Sequence, residues 1–157
     1  MKAYRKVIFV GKSGTCRAPM AEGIMRDILV TDPIEIVSRG LVVLFPEPIN
    51  QKAEAVLISN GINFTKNYMS VQLTDEDITE YTLVLTMEET MKNRILEQFD
   101  NANEENTFVL SSYVGDELEI INPYGAPLQT YGLCYEALRN TMKKLVKILE
   151  LDKGETH

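Results

Sequence analysis

Short, nearly continuous apolar runs alternate along this chain with stretches in which apolar positions recur every three or four residues. Val7-Ile-Phe-Val10 and Tyr81-Thr-Leu-Val-Leu-Thr-Met87 have the composition of strands buried on both faces of a parallel sheet. Strands are predicted at 5–10, 34–38, 82–87 and 107–111. Helical spacing predicts helices at 19–29, opened by Pro19, at 50–59, closed by Asn60-Gly61, at 88–99 and at 129–151. In the last of these, Leu133, Ala137, Leu138, Met142, Leu145, Ile148 and Leu149 are expected to form one core-facing stripe. Alternation of this kind, without repeats or low-complexity linkers, predicts a single α/β domain over residues 1–157.

Two connections stand out from this scaffold. Leu41-Val-Val-Leu-Phe-Pro-Glu-Pro48 is unusually apolar for a loop. It is either an exposed contact patch or, the reading favoured on sequence, a packed Ω-loop. The second connection, Gly11-Lys12-Ser13-Gly14-Thr15-Cys16-Arg17, joins the first strand to the first helix. Glycines let a backbone bend until successive N–H groups converge, and a helix N-terminus adds unpaired donors and partial positive charge. Such a loop suits an oxyanion, and the planar fork of Arg17 suits bidentate capture of one. Lys12 reads equally as an exposed loop lysine or as added positive charge at the mouth of a pocket.

The stretch from Val10 to Glu22 resembles the active-site loop of the low-molecular-weight protein-tyrosine-phosphatase family, V-C-x-G-N-x-C-R-S-P-x-A-E, with Val10, Cys16, Arg17, Pro19, Ala21 and Glu22 in the family's spacing. Further matches follow: Ser38-Arg39-Gly40 for S-A-G, Leu85-Thr86-Met87-Glu88 for a strand ending in T-M-x, and Ile121-Asn122-Pro123-Tyr124-Gly125 for the D-P-[YF] acid loop. The resemblance covers essentially the whole chain. It implies a three-layer, doubly wound fold around a four-stranded parallel sheet, and a phosphate held by the N–H groups of residues 12–17 and by Arg17. It also implies substrate contact by Phe45, Asn122 and Tyr124. Thr15 and the single aromatic before Gly125 look more like the bacterial arginine-phosphatase branch than the eukaryotic tyrosine-phosphatase branch.

The departures bear on chemistry. The family's mechanism uses a thiolate nucleophile, and Gly11 stands at that position. Its general acid is an aspartic acid, and Asn122 stands there; a carboxamide releases no proton near neutral pH. Ala18 replaces the serine that steadies the thiolate, Gly14 replaces an asparagine, and the family's H-x-[AS]-R-Q segment becomes Tyr68-Met69-Ser70-Val71-Gln72. The chain's only histidine is His157. Cys16, next to Arg17, is read as a small buried residue rather than a substitute nucleophile. The expectation is therefore a pseudophosphatase: a family fold that binds phosphate or a phosphorylated protein side chain, with no catalytic residue intact. The alternatives are a weak phosphomonoester hydrolase acting by direct water attack and a non-catalytic interaction module. The changes at Ala18, Tyr68 and Val71 parallel the change at Gly11 and suggest natural divergence rather than an engineered trap.

Composition narrows the partners. At 157 residues, 45% hydrophobic and 25% charged, the chain can bury a core without disulfides or metals. A net charge of −7 argues against a general nucleic-acid binder. Cys16 and Cys134 make no disulfide framework, and neither metal-ligand spacing nor a cofactor motif is present. The expected compartment is a reducing cytoplasm. The four apolar residues after Lys6 fall short of a signal-peptide core of ~7–15, and no run approaches the ~18 of a membrane span.

Overall fold

The computed structural model describes residues 3–29 and 33–155, the side chains of 151–155 excepted. His157 lies outside the described residues. Strands β1 (Lys6–Gly11), β2 (Glu35–Gly40), β3 (Thr82–Thr86) and β4 (Thr107–Val109) form one parallel sheet in the order β2-β1-β3-β4. The helices are α1 (Arg17–Ile28), α2 (Gln51–Ser59), α3 (Glu89–Gln98), α4 (Leu110–Tyr113) and α5 (Leu128–Glu155). This is the expected α/β fold with a four-stranded parallel sheet. Val7 to Val10 and all of β3 are buried, as their unbroken apolar character requires. Among the described residues, no helix is long and apolar enough to cross a membrane.

Element boundaries moved where local chemistry intervened. α1 begins at Arg17, so Pro19 sits in the first turn, where its missing N–H removes no helical bond. α2 is capped by Asn50, whose side chain accepts from the N–H groups of Lys52 and Ala53, and Gly61 follows it with φ +80°. β4 stops at Val109 because Leu110 already begins the short α4.

The stripe expected on α5 holds from Leu138 onward but not before it. Leu133 is 71% exposed and Ala137 is exposed; Tyr131, Cys134 and Tyr135 face the core instead. Counting back from the buried Leu138 in steps of three and four reaches Tyr135, Cys134 and Tyr131, whereas Leu133, five residues away, lies well round the helix.

The topology fixes where a ligand can sit. The chain leaves β1 for β2 on one side and later returns to β3 on the other, so a crevice opens beyond the carboxyl end of β1, at the switch point of the sheet. The end of β2 is anchored by Arg39, whose Nε lies 3.2 Å from Asp77 Oδ2 in the 3-10 turn Asp75–Asp77. Burial pushes the Asp77 carboxyl up, but the Thr74 N–H and the Arg39 guanidinium outweigh it and hold the carboxyl below its ordinary value. A depressed folded-state pKa stabilises the fold above the unfolded value and ceases to do so as pH falls through the folded one. Asp77→Asn is therefore expected to cost about 1–2 kcal/mol at pH 7, with the gap to wild type closing below about pH 4. Urea melts at both pH values check this; a gap independent of pH would contradict it.

A candidate oxyanion-binding site

The loop from Gly11 to Arg17 is best understood by following its main-chain polar groups. The Gly11 carbonyl accepts the Leu41 N–H at 2.9 Å, Lys12 the Val42 N–H at 3.0 Å, and Thr15 the Asn50 N–H at 2.8 Å. The Cys16 carbonyl accepts the Met20 N–H at 3.2 Å, and the Gly14 carbonyl accepts the Tyr68 hydroxyl at 2.5 Å. The N–H groups of residues 12–17 have no acceptor among the described residues. All seven residues from Gly11 to Arg17 line one cavity of about 410 Å³, together with Val42, Glu47, Asn122 and Tyr124. A run of backbone donors without acceptors around a concave space is an arrangement that suits an anion.

Two glycines make the bend possible. Gly14 has φ +74°, and a Cβ there would lie 2.9 Å from the Gly40 nitrogen. A Cβ on Gly40 would come within 2.6 Å of the Ser13 carbonyl. Loop and β2 thus pack backbone against backbone. Gly11 differs: a Cβ would meet Ala18 Cβ at 3.4 Å and Ala18 N at 3.6 Å, ordinary contacts, so packing leaves room for a side chain.

Arg17 is 3% exposed. One terminal nitrogen donates to the Ile120 carbonyl at 2.8 Å and the other to Glu88 Oε2 at 2.6 Å. The guanidinium thus ties the loop to the end of β3 and to the segment carrying Asn122. Two of its five N–H donors are engaged; the others have no partner among the described residues. Tyr68, where the family resemblance has histidine, braces the loop through Gly14. Burial raises its hydroxyl far above its ordinary value, a Ser38 hydrogen bond offsetting only part of this, so it stays a proton donor. Ser38 in turn donates to Glu22 at 2.5 Å, and Glu22 pairs with Arg26.

Cys16 is buried, and burial pushes its thiol up to about 11 against the pull of the Arg17 charge and of Tyr131. Burial likewise holds Cys134 at about 12. Lys12 is exposed, lines the cavity, and has no ion-pair partner among the described residues.

Asn122 and Tyr124 reach the cavity wall, the Asn122 side chain accepting the Tyr124 N–H at 3.2 Å. Phe45 does not line it; that stretch contributes Val42 and Glu47. The packing expected of residues 41–48 differs from what is seen. Leu41 is buried, but Leu44 and Phe45 are 83% and 74% exposed, because the segment is held through its main chain rather than its side chains. Gln72 accepts the Val43 N–H and donates to the Leu41 carbonyl, and Ser70 bonds both main-chain groups of Glu47. Sequence reasoning missed Glu47 and the Glu88 partner of Arg17. The acid at the end of β3 was the only signal for the second.

A model of the low molecular weight phosphotyrosine protein phosphatase family matches residues 6–155. The chain belongs to that family. It is 30% identical over 141 residues to the low molecular weight protein-tyrosine-phosphatase PtpB of Staphylococcus haemolyticus, covering 89% of this chain and 96% of that one. It is also similar to the solved YwlE arginine phosphatase from Geobacillus stearothermophilus, at 29% identity and a TM-score of 0.88, over 97% of both chains. A YwlE mutant solved with a phosphorylated active-site serine matches at 28% identity and a TM-score of 0.83, over 92% of this chain and 95% of that one.

The packing around the loop makes three substitutions separable. Gly40→Ala should destabilise by about 1–3 kcal/mol because Ser13 must move, and Tyr68→Phe by about 1–2 kcal/mol because a buried carbonyl loses its donor. Gly11→Ala should stay within about 1 kcal/mol of wild type. Equilibrium unfolding in urea checks all three; equal effects at Gly11 and Gly40 would contradict the packing described.

Proposed function

We propose that this family member recognises a phosphate group, free or on a protein side chain, through residues 11–17 without transferring it to the enzyme. The observation that carries the reading is the run of N–H groups from Lys12 to Arg17 left without protein acceptors around the cavity, beside the Arg17 guanidinium. Those groups supply hydrogen bonds and positive potential where an oxyanion would sit. The phosphorylated serine in the YwlE mutant supports the fit of a phosphoryl group in a related site.

Covalent transfer needs a nucleophile and an acid. Gly11 has no side chain, and Asn122 brings an amide to the cavity, not a carboxyl. With its thiol at about 11, Cys16 is almost wholly protonated at neutral pH and is unsuited to replace the missing thiolate.

The phosphatase names of the relatives favour a second reading, residual hydrolysis. Water would attack directly, with the loop amides and Arg17 stabilising the transition state, a contribution often large in catalysis. Turnover separates the two. On aryl phosphates and phosphoarginine, wild type is expected to match a no-enzyme control; turnover abolished by Arg17→Ala would instead establish the hydrolase. Gly11→Cys should give at most feeble activity, since Asn122 and Ala18 leave leaving-group protonation and thiolate support missing. Robust activity from that single change would show that Gly11 alone silences the site.

A further inference from the structure

The break in the apolar stripe of α5 leaves a second face of that helix open. Leu133, Ala137, Asn140 and Lys144 are exposed at spacings of four, three and four residues, which places them along one line of the helix. Segment 115–121 forms the other wall of a groove of about 680 Å³, which shares no lining residue with the cavity at the 11–17 loop. That wall contributes the exposed apolar residues Leu118 and Ile121. On α5 the groove runs from Thr130 to Lys144, ~21 Å at 1.5 Å per residue.

Both walls are tied together. Asp116 accepts from the Thr141 hydroxyl at 3.2 Å and pairs with Lys144, and the Ile121 carbonyl accepts the Cys134 thiol at 3.7 Å. The charge between those ties is one-sided. Asp116, Glu117 and Glu119 fall within four residues of one wall, whereas the cation among the lining residues, Lys144, is already taken up by Asp116. Glu119 accepts the Glu89 N–H at 2.6 Å, which fixes its carboxylate at the start of α3. Neither Glu119 nor Glu117 has a cationic partner among the described residues.

We propose that this groove docks a helical segment of a partner protein, with apolar side chains every three or four residues and lysine or arginine along the edge that meets residues 116–119. The regular spacing on α5 gives ridges that a second helix can match, and ~21 Å accommodates about four turns of one. Covering Leu118, Ile121 and Leu133 supplies the attraction. The uncompensated acids select the sign of the charge beside it. A second copy of this chain is a poor occupant, because its net charge of −7 brings more negative charge to an acidic edge.

The test uses the full chain and a synthetic peptide amide of about four helical turns, with leucines at three- and four-residue spacing flanked by lysines. The same peptide with glutamates in place of the lysines is the control. With backbone amide resonances followed, the lysine peptide is expected to shift residues 115–121 and 130–144 saturably, and the glutamate peptide to shift none. Leu133→Gln, a change at an exposed position whose melting temperature should match wild type, is expected to weaken binding about ten-fold. Glu117→Lys should weaken it about five-fold. Shifts spread over the whole acidic surface, or an affinity indifferent to Leu133→Gln, would mean unspecific charge attraction and overturn the proposal, as would a lysine peptide that does not bind. Shifts of the same residues with protein concentration alone would assign the groove to a second copy and also overturn it.

Discussion

Five carbonyl groups decide what this protein can do at the mouth of β1. Those of Gly11, Lys12, Gly14, Thr15 and Cys16 are each claimed by a donor from elsewhere: the start of the 41–48 loop, Tyr68, the cap of α2 and the first turn of α1. Once they are held, the peptide planes are fixed and the intervening N–H groups are left without protein acceptors. Buried backbone donors are rarely left in that state unless water or a ligand meets them. The dependence runs outward from there. Gly14 must take a positive φ, Gly40 must lack a side chain so that Ser13 can lie against it, and Tyr68 must keep its proton.

Arg17 couples this cradle to the rest of the fold. One nitrogen reaches Glu88 after β3 and another the Ile120 carbonyl, so the segment bearing Asn122 and Tyr124 is tied to the 11–17 loop. The two bonds hold the guanidinium in one orientation, and a ligand recognised there would cost less entropy for it. The same two bonds give Arg17 an architectural role of its own at the end of the loop.

Much of this was legible in the residues. Unbroken apolar runs marked β1 and β3, and the spacing of glycines, Cys16, Arg17 and Pro19 located the loop and the helix that follows it. Asn122 and Tyr124, which the resemblance marks as substrate contacts, line the cavity. The illegible parts depend on long-range geometry. Leu133 has the right residue type for a core stripe but the wrong angular position on α5. Phe45 and Leu44 belong to a loop whose exposure is set by main-chain bonds to Ser70 and Gln72, which no local pattern announces. Glu47 and Glu88 are acidic residues among twenty-three Asp and Glu, and only their place beside the loop distinguishes them.

The role of this loop turns on whether its unpaired amides hold an anion. Titrating the isotopically labelled protein with inorganic phosphate, while following backbone amide resonances, tests this at the atoms concerned. Saturable shifts centred on residues 12–17 are expected, with an affinity near millimolar, so that ~10 mM phosphate adds roughly 1 kcal/mol of stability. Loop amides that do not move up to that concentration would contradict it and leave the fold as an interaction module with an unused cradle.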